Sequence, residues 1–123
     1  TVLDAVSRPT TWRGRRVRAL RVGARGDIAL LEAISRGEFA TAGFRNRDLR
    51  RLLFHGKARA AAADTRRLSG RVTRMLRLLR AHGIIHKIPK SHRYKVSAKG
   101  HLLTAALFAA RNATIKQLVA EAA

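Results

Sequence analysis

Between residues 64 and 81, apolar side chains fall at Leu68, Val72, Met75, Leu76 and Leu79. These spacings of four, three, one and three line up on one stripe of a 3.6-residue helix. At about 100° per residue, the opposite direction carries Arg66, Gly70, Thr73, Arg74 and Arg77, with Arg67, Arg71 and Arg80 on its flanks. The pattern predicts a helix that buries one side and presents an arc of arginine on the other. Asp64 is the expected N-cap and Thr65 the second candidate, because either can accept from an orphan backbone N–H of the first turn. Gly83 marks the stop.

Two shorter helices are predicted upstream. Asp27 is expected to cap IALLEAISRG, in which Ile28, Leu31 and Ile34 form the apolar face and Gly37 the end. Phe44 reads as a hydrophobic staple ahead of Asn46, the expected cap of RDLRRLLFHG, whose Leu49, Leu52 and Leu53 would bury against the first helix and which Gly56 would close. The alanine-rich run Lys57 to Ala63 either extends this second helix or forms a loop.

Downstream of the long helix, Ile84, Ile85 and Ile88 make a β-branched run and Tyr94 with Val96 the returning one, with Pro89, Lys90, Ser91 and His92 as the hairpin connection. Ser97 starts the last element. From His101 to Ala123 the residues are helix formers, with an apolar stripe at Leu102, Leu103, Ala106, Leu107, Ala110, Leu118 and Val119. Arg111 to Thr114 is where that helix would kink or split, Asn112 or Thr114 capping a final piece. Such a terminal helix either packs onto its own core or forms the seam of a homodimer.

Thr1 to Gly26 is less periodic. It holds Pro9, Trp12, three glycines and seven arginines, at Arg8, Arg13, Arg15, Arg16, Arg18, Arg21 and Arg25. Val17 and Ala19 alternate with Arg18, Leu20 and Val22, which suits a short strand or an extended arm. The segment is read as a basic N-terminal arm or linker over 1–26, leaving 27–123 as the folded domain with its C-terminal helix.

Charge sharpens this picture. Twenty-seven Lys and Arg stand against seven acids in 123 residues, a formal charge of +20, and no Asp or Glu occurs between Arg66 and Lys99. An ordinary solvated helix face mixes signs, so an acid-free arc points to a polyanion. Phosphate neutralisation with counterion release gains from every added cation, which puts nucleic acid ahead of membrane or acidic protein. With 46% hydrophobic residues the chain is long enough and apolar enough for one core. Cysteine is absent, which excludes disulfides and thiolate metal sites and makes a cytoplasmic, nucleoid-associated location the expectation. The longest apolar run, Leu102 to Ala110, is interrupted by Thr104 and is about half a bilayer span, so no membrane partner is expected. The chain begins at Thr1 without a Met and is read as a processed product or a piece of a longer protein, whose other domains would be further partners.

Little in the sequence suggests catalysis. His82 and His86 are four apart, but Gly83 and the start of a strand intervene, and no neighbouring acid or Cys completes a metal set. Ser69, Ser91 and Ser97 lack Asp and His company, the acids are scattered, and there is no glycine-rich phosphate loop. No enzyme activity, metal or cofactor is expected of this chain.

The order helix, helix, long basic helix, hairpin, helix is that of a winged helix-turn-helix domain: mainly α, with a three-helix core, a two-stranded wing and a C-terminal helix. The segments GFRNRDLR, RVTRMLRLLRAHGII and HRYKVSAKGHLL strengthen the likeness. LRAHGII and VSAKG resemble the L-x-x-x-G-[LI]-I and [LV]-[ST]-x-x-G pattern of MarR-like and ArsR-like bacterial transcription regulators. GFRNRDLR and SHRY are also similar to segments in the C-terminal part of longer, uncharacterised bacterial proteins. The resemblance covers Asp27 to about Ala110. It implies a third helix in the major groove and a wing on the backbone or minor groove, roles that would fall on Arg66 to Arg77 and on Lys90 to Arg93. The chain departs from those regulators in its abundance of arginine and in showing no effector pocket.

On this reading the nucleic-acid contacts are Arg45, Asn46 and Arg47 at the start of the second helix, and Arg66, Arg67, Gly70, Arg71, Thr73, Arg74 and Arg77 on the third. Lys90, Ser91, His92, Arg93 and Lys95 complete them on the hairpin. Arg74 and Arg77 would read base edges, since the planar guanidinium can bind guanine O6 and N7 together. Duplex DNA is the first expected partner. An RNA-associated structural component of a ribonucleoprotein is the second, and the DNA-binding part of a longer mobile-element or regulatory protein is a related alternative. A module that contacts an acidic protein within a larger machine is the weakest.

Overall fold

The stripe of the long basic helix is the spine of the core. The structure, a computed structural model, describes residues 1–54 and 62–122. In it α4 runs Ala62–Ala81 and buries Leu68, Val72, Leu76 and Leu79 as expected, together with Leu78 from outside the stripe, while Met75 packs at the margin. Each such aliphatic side chain, fully buried, contributes about 1.5–3 kcal/mol. Against this spine lie α2 (Arg25–Ile34), which buries Leu30, Leu31 and Ile34, and α3 (Asn46–Leu53), which buries Leu49. A single 3-10 turn, Gly37–Phe39, joins them. The chain is mainly helical with small antiparallel hairpins.

The helix starts depart from expectation in a consistent way. Asp27, Asn46 and Asp64 are not N-caps; each lies inside the first turn of its helix, and α2 and α3 follow Ala24 and Arg45 in extended conformation. Asp48 accepts the N–H of Arg45 at 2.7 Å, closing the start of α3 from within. With the cap at Arg45, Phe44 stands directly before it and Leu49 four residues into the helix, the two positions of a hydrophobic staple, and both are fully buried. The expectations for Gly56 and for residues 57–61 fall outside the described residues. Ala62 and Ala63 belong to α4.

The end of α4 is as predicted. Gly83 has φ +73, and the N–H groups of Gly83 and Ile84 donate to the carbonyls of Arg80 (3.0 Å) and Leu79 (2.9 Å). This is the Schellman arrangement that a left-handed glycine permits. The chain then enters β3 (Ile85–Lys87), which pairs antiparallel with β4 (Tyr94–Val96) in the register Ile85 to Val96, His86 to Lys95 and Lys87 to Tyr94. Phe44 bridges the far edge of β4: its N–H donates to Tyr94 O at 2.9 Å, and the Tyr94 N–H donates back at 2.8 Å.

The last helix, α5 (Ala98–Ala122), starts at Ser97, whose Oγ accepts the Gly100 N–H at 3.0 Å. A Cβ at residue 100 would lie 2.2 Å from Ile84 O and 2.7 Å from the Val96 side chain, so only glycine lets this helix sit on the root of the hairpin. The expected kink at Arg111 to Thr114 is absent. The Thr114 hydroxyl donates to Ala110 O at 3.0 Å within the same helix instead of capping a new one. Only the first half of α5 packs, through Leu103, Thr104 and Leu107; residues 109–122 are exposed, and so is Leu102.

The first 26 residues are not an extended arm. They form α1 (Val2–Val6), β1 (Thr10–Trp12) and β2 (Arg15–Val17), and Val6, Val17 and Leu20 enter the core. Trp12 pairs with Arg15 across a two-residue turn in which Arg13 and Gly14 have φ of +51 and +77, as a type I′ turn requires. The alternation from Val17 to Val22 does not form a strand: β2 ends at Val17, and residues 18–21 follow it without regular structure. What fixes the segment is long-range: Arg18 donates from both terminal nitrogens to the Asp27 carboxylate at 2.9 Å, Arg21 N–H donates to it at 2.7 Å, and His82 Nε2 lies 2.8 Å from Arg18 O.

Burial would push the Asp27 carboxyl up, but the hydrogen bonds from Arg18 and the Arg21 N–H outweigh it and hold it below the usual carboxylate range. Since its folded pKa lies below its unfolded one, the stabilisation is complete above about pH 4 and is lost as pH falls through the folded value. Arg18 is half-exposed, so screening trims the pair. Asp27→Asn should cost about 1–2 kcal/mol at neutral pH. Denaturant unfolding as a function of pH checks this: the wild-type loss of stability below about pH 4 should be shallower in the variant.

Candidate nucleic-acid interface

Seven acids serve a chain with 27 cations, and their placement decides where the positive charge is left over. The Asp4 carboxylate completes the capping box of α1 with its N-cap Thr1, Asp27 holds Arg18, Asp48 closes α3, and Glu32 and Glu38 pair with Arg111 and Arg36. Only Asp64 touches the outer arc of α4, 3.7 Å from Arg67. Among the described residues no acid pairs with Arg66, Arg71, Arg74 or Arg77, and all four are exposed.

The arc is set by a polar joint between α3 and α4. Asn46 Nδ2 donates to Ser69 O at 3.0 Å and to Thr73 Oγ1 at 3.2 Å, and Thr73 Oγ1 donates to Ser69 O at 2.9 Å. Asn46 and Thr73, both expected contacts, are thus bonded to each other. They hold the start of α3 against the helix, with Arg47 exposed and Arg45 half-buried alongside. In the same way the Ser91 hydroxyl is occupied in its own turn, donating to Ile88 O at 2.8 Å and accepting the Arg93 N–H at 3.1 Å. Lys90, at φ +58, and His92 are exposed at that turn; Arg93 and Lys95 are half-buried on the hairpin.

The N-terminal hairpin adds residues that the sequence pattern did not single out. It crosses the C-terminal half of α4: Trp12, Arg13 and Arg15 line a cleft of about 300 Å³ on one flank with Thr73, Leu76, Arg77, Arg80 and Tyr94. On the other flank Arg16, Val17 and Arg18 line a cleft of about 460 Å³ with Arg71, Arg74, Met75, Arg77 and Leu78. Arg77 borders both. Arg80 lies 5.0 Å from the centre of the Trp12 ring and 5.9 Å from that of Tyr94, and Arg13 lies 5.4 Å from Trp12, distances at which cation–π attraction operates. The signal in the sequence was Thr-Thr-Trp, Arg-Gly, Arg-Arg-Val: two short β-prone runs around a two-residue loop with glycine second.

His82 and His86 have separate places. His82 is buried, and because a carbonyl only accepts, its Nε2 carries the proton donated to Arg18 O. His86 is exposed on β3. No described helix is long and apolar enough to cross a membrane. No family model, no curated protein and no solved structure matches the chain.

Gly70 lies mid-helix on the arc, and the fold gives no reason for it. A Cβ there would meet only Arg74 Nη1, at an ordinary 3.7 Å. Glycine in a helix interior costs about 1 kcal/mol against alanine, so Gly70→Ala should stabilise the protein by that amount in denaturant unfolding. If a ligand approaches the backbone here, the same variant binds duplex DNA more weakly. Unchanged binding would show that nothing comes close to residue 70.

Proposed function

We infer that this chain is a winged helix-turn-helix module that binds duplex DNA, with the outer arc of α4 in the major groove and β3–β4 as the wing. The observation that carries the reading is the acid-free arginine arc on a helix whose other side is the core spine. The order α2, α3, α4, hairpin supports the fold assignment, and so does the pairing of Phe44 with β4, which gives the hairpin a third partner. A helix of 20 residues is about 30 Å long and 10–12 Å across, dimensions that suit a major groove about 12 Å wide.

Within this reading the side chains divide by position. Arg66, Gly70 and Arg74 lie on the outer arc of α4 and are assigned to base edges; Arg77, which borders the clefts on both flanks of the N-terminal hairpin, is assigned to the backbone. Lys90, His92 and Arg93 extend the backbone contacts along the wing. Asn46, Thr73 and Ser91 act through the geometry they hold. Single-stranded nucleic acid is disfavoured, because Trp12 is covered by arginines and Tyr94 stacks on Phe44 with ring centres 6.0 Å apart, so neither offers a free platform for a base. The second reading, a structural component bound to folded RNA, draws on the same charge.

Competition of labelled duplex DNA against unlabelled duplex and structured RNA, repeated over a range of salt, tests the proposal. Neutralising about six to eight phosphates predicts a slope of log K against log salt of roughly −5 to −7. Arg74→Ala should relax sequence preference, whereas Lys90→Ala should weaken binding to all sequences alike. A slope near zero contradicts a nucleic-acid function, and preferential displacement by RNA would favour the second reading.

A further inference from the structure

Two turns of this protein place a long cation where turn chemistry favours something else. Among the described residues, Arg13 (φ +51) and Lys90 (φ +58) are the only ones other than glycine in the left-handed region. In a type I′ turn the position of Arg13 is ordinarily Asn, Asp or Gly, whose backbones reach positive φ at lower cost. A strained residue at an exposed turn asks what its side chain does.

The Arg13 guanidinium lies over Trp12, and so does that of Arg80, which also reaches the Tyr94 ring. With Arg15 and Arg77 they make four guanidinium groups around one cleft of about 300 Å³, whose lining contains no acid. Like charges brought together repel, and the repulsion is relieved when an anion enters. The Trp12 ring meanwhile fixes two of the four before any ligand arrives. Planar forks of N–H donors suit a phosphate, which can accept from several at once. The cleft exceeds a lone phosphate ion and has room for a phosphate with its sugar.

We propose that the cleft between the β1–β2 turn and the C-terminal half of α4 is a phosphate-ester site, occupied by a backbone phosphate of the bound nucleic acid. Assigning the phosphate to a nucleic-acid backbone rests on the function proposed above; the phosphate chemistry does not. The N-terminal hairpin is then a second wing, on the opposite side of the sequence from β3–β4 and gripping the backbone beside the same helix.

Trp12 is the sole tryptophan of the chain, so selective excitation of tryptophan reports on this cleft alone. The full chain is titrated, at constant ionic strength, with inorganic phosphate, with a nucleoside monophosphate and with duplex DNA. The expected result is a saturable change in Trp12 emission with duplex, and a change in the same direction with the monophosphate at much higher concentration. Arg13→Asn suits its turn better and should not lower the melting temperature, yet it should weaken duplex binding by roughly five- to tenfold, as should Arg15→Gln. Duplex bound at wild-type affinity by both variants, with Trp12 emission unmoved, overturns the site and leaves the proposed function standing. A response to phosphate or monophosphate without any duplex binding keeps the site and overturns both its backbone assignment and the function.

Discussion

One carboxylate, that of Asp27, anchors the end of the N-terminal hairpin on the helical core, beside the burial of Val6, Val17 and Leu20. Asp27 takes two bonds from the Arg18 guanidinium and one from the Arg21 backbone, so the strand end that carries Arg18 is fixed on α2. The carbonyl of the same Arg18 accepts from His82 at the end of α4, which ties that strand end to the spine of the core as well. With Arg18 held at both, the β1–β2 hairpin that precedes it lies across the last turns of the basic helix. The clefts on its flanks, and the approach of Arg13 and Arg80 to Trp12, follow from that placement.

The same economy governs the charge. Few acids are present, and most are committed to helix starts or single pairs away from the outer arc of α4: Asp4 at α1, Asp48 at α3, Asp27 at the junction. The arc, the hairpin turns and the start of α3 are left with arginine and lysine facing water. A chain carrying +20 is repelled by itself wherever these groups crowd, and a bound polyanion would relieve that repulsion. Polar joints that carry no net charge, Asn46 with Ser69 and Thr73 above all, keep the crowded surfaces in register.

Much of this was legible in the sequence, and the parts that were not share a cause. The spine stripe, the stop at Gly83, the β3–β4 turn and the start at Ser97 are local patterns, set by residues within a turn or two of each other. The N-terminal segment has strands of three residues, too short for periodicity to speak, and its order comes from Arg18 meeting residues nine and sixty-four positions away. Cap positions were misplaced because Asp27 and Asn46, residues suited to capping, are used for tertiary bonds instead. The C-terminal helix has apolar positions along its whole length, yet only Leu103, Leu107 and their neighbours find a core; Ile115, Leu118 and Val119 remain in solvent because the body of the protein ends before them. Of the candidate contacts, composition located the charge, and only the fold distinguished side chains that face outward from those, such as Thr73 and Ser91, bonded inward.

The central claim is that one continuous surface, the outer arc of α4 with the two hairpins that border it, receives the nucleic acid. Backbone amide NMR of the full chain with increasing amounts of duplex DNA tests it directly. The account predicts shifts concentrated at residues 12–16, 66–77 and 90–93, with residues 109–122 undisturbed. Shifts confined to the exposed half of α5, or absent from 66–77, would contradict it.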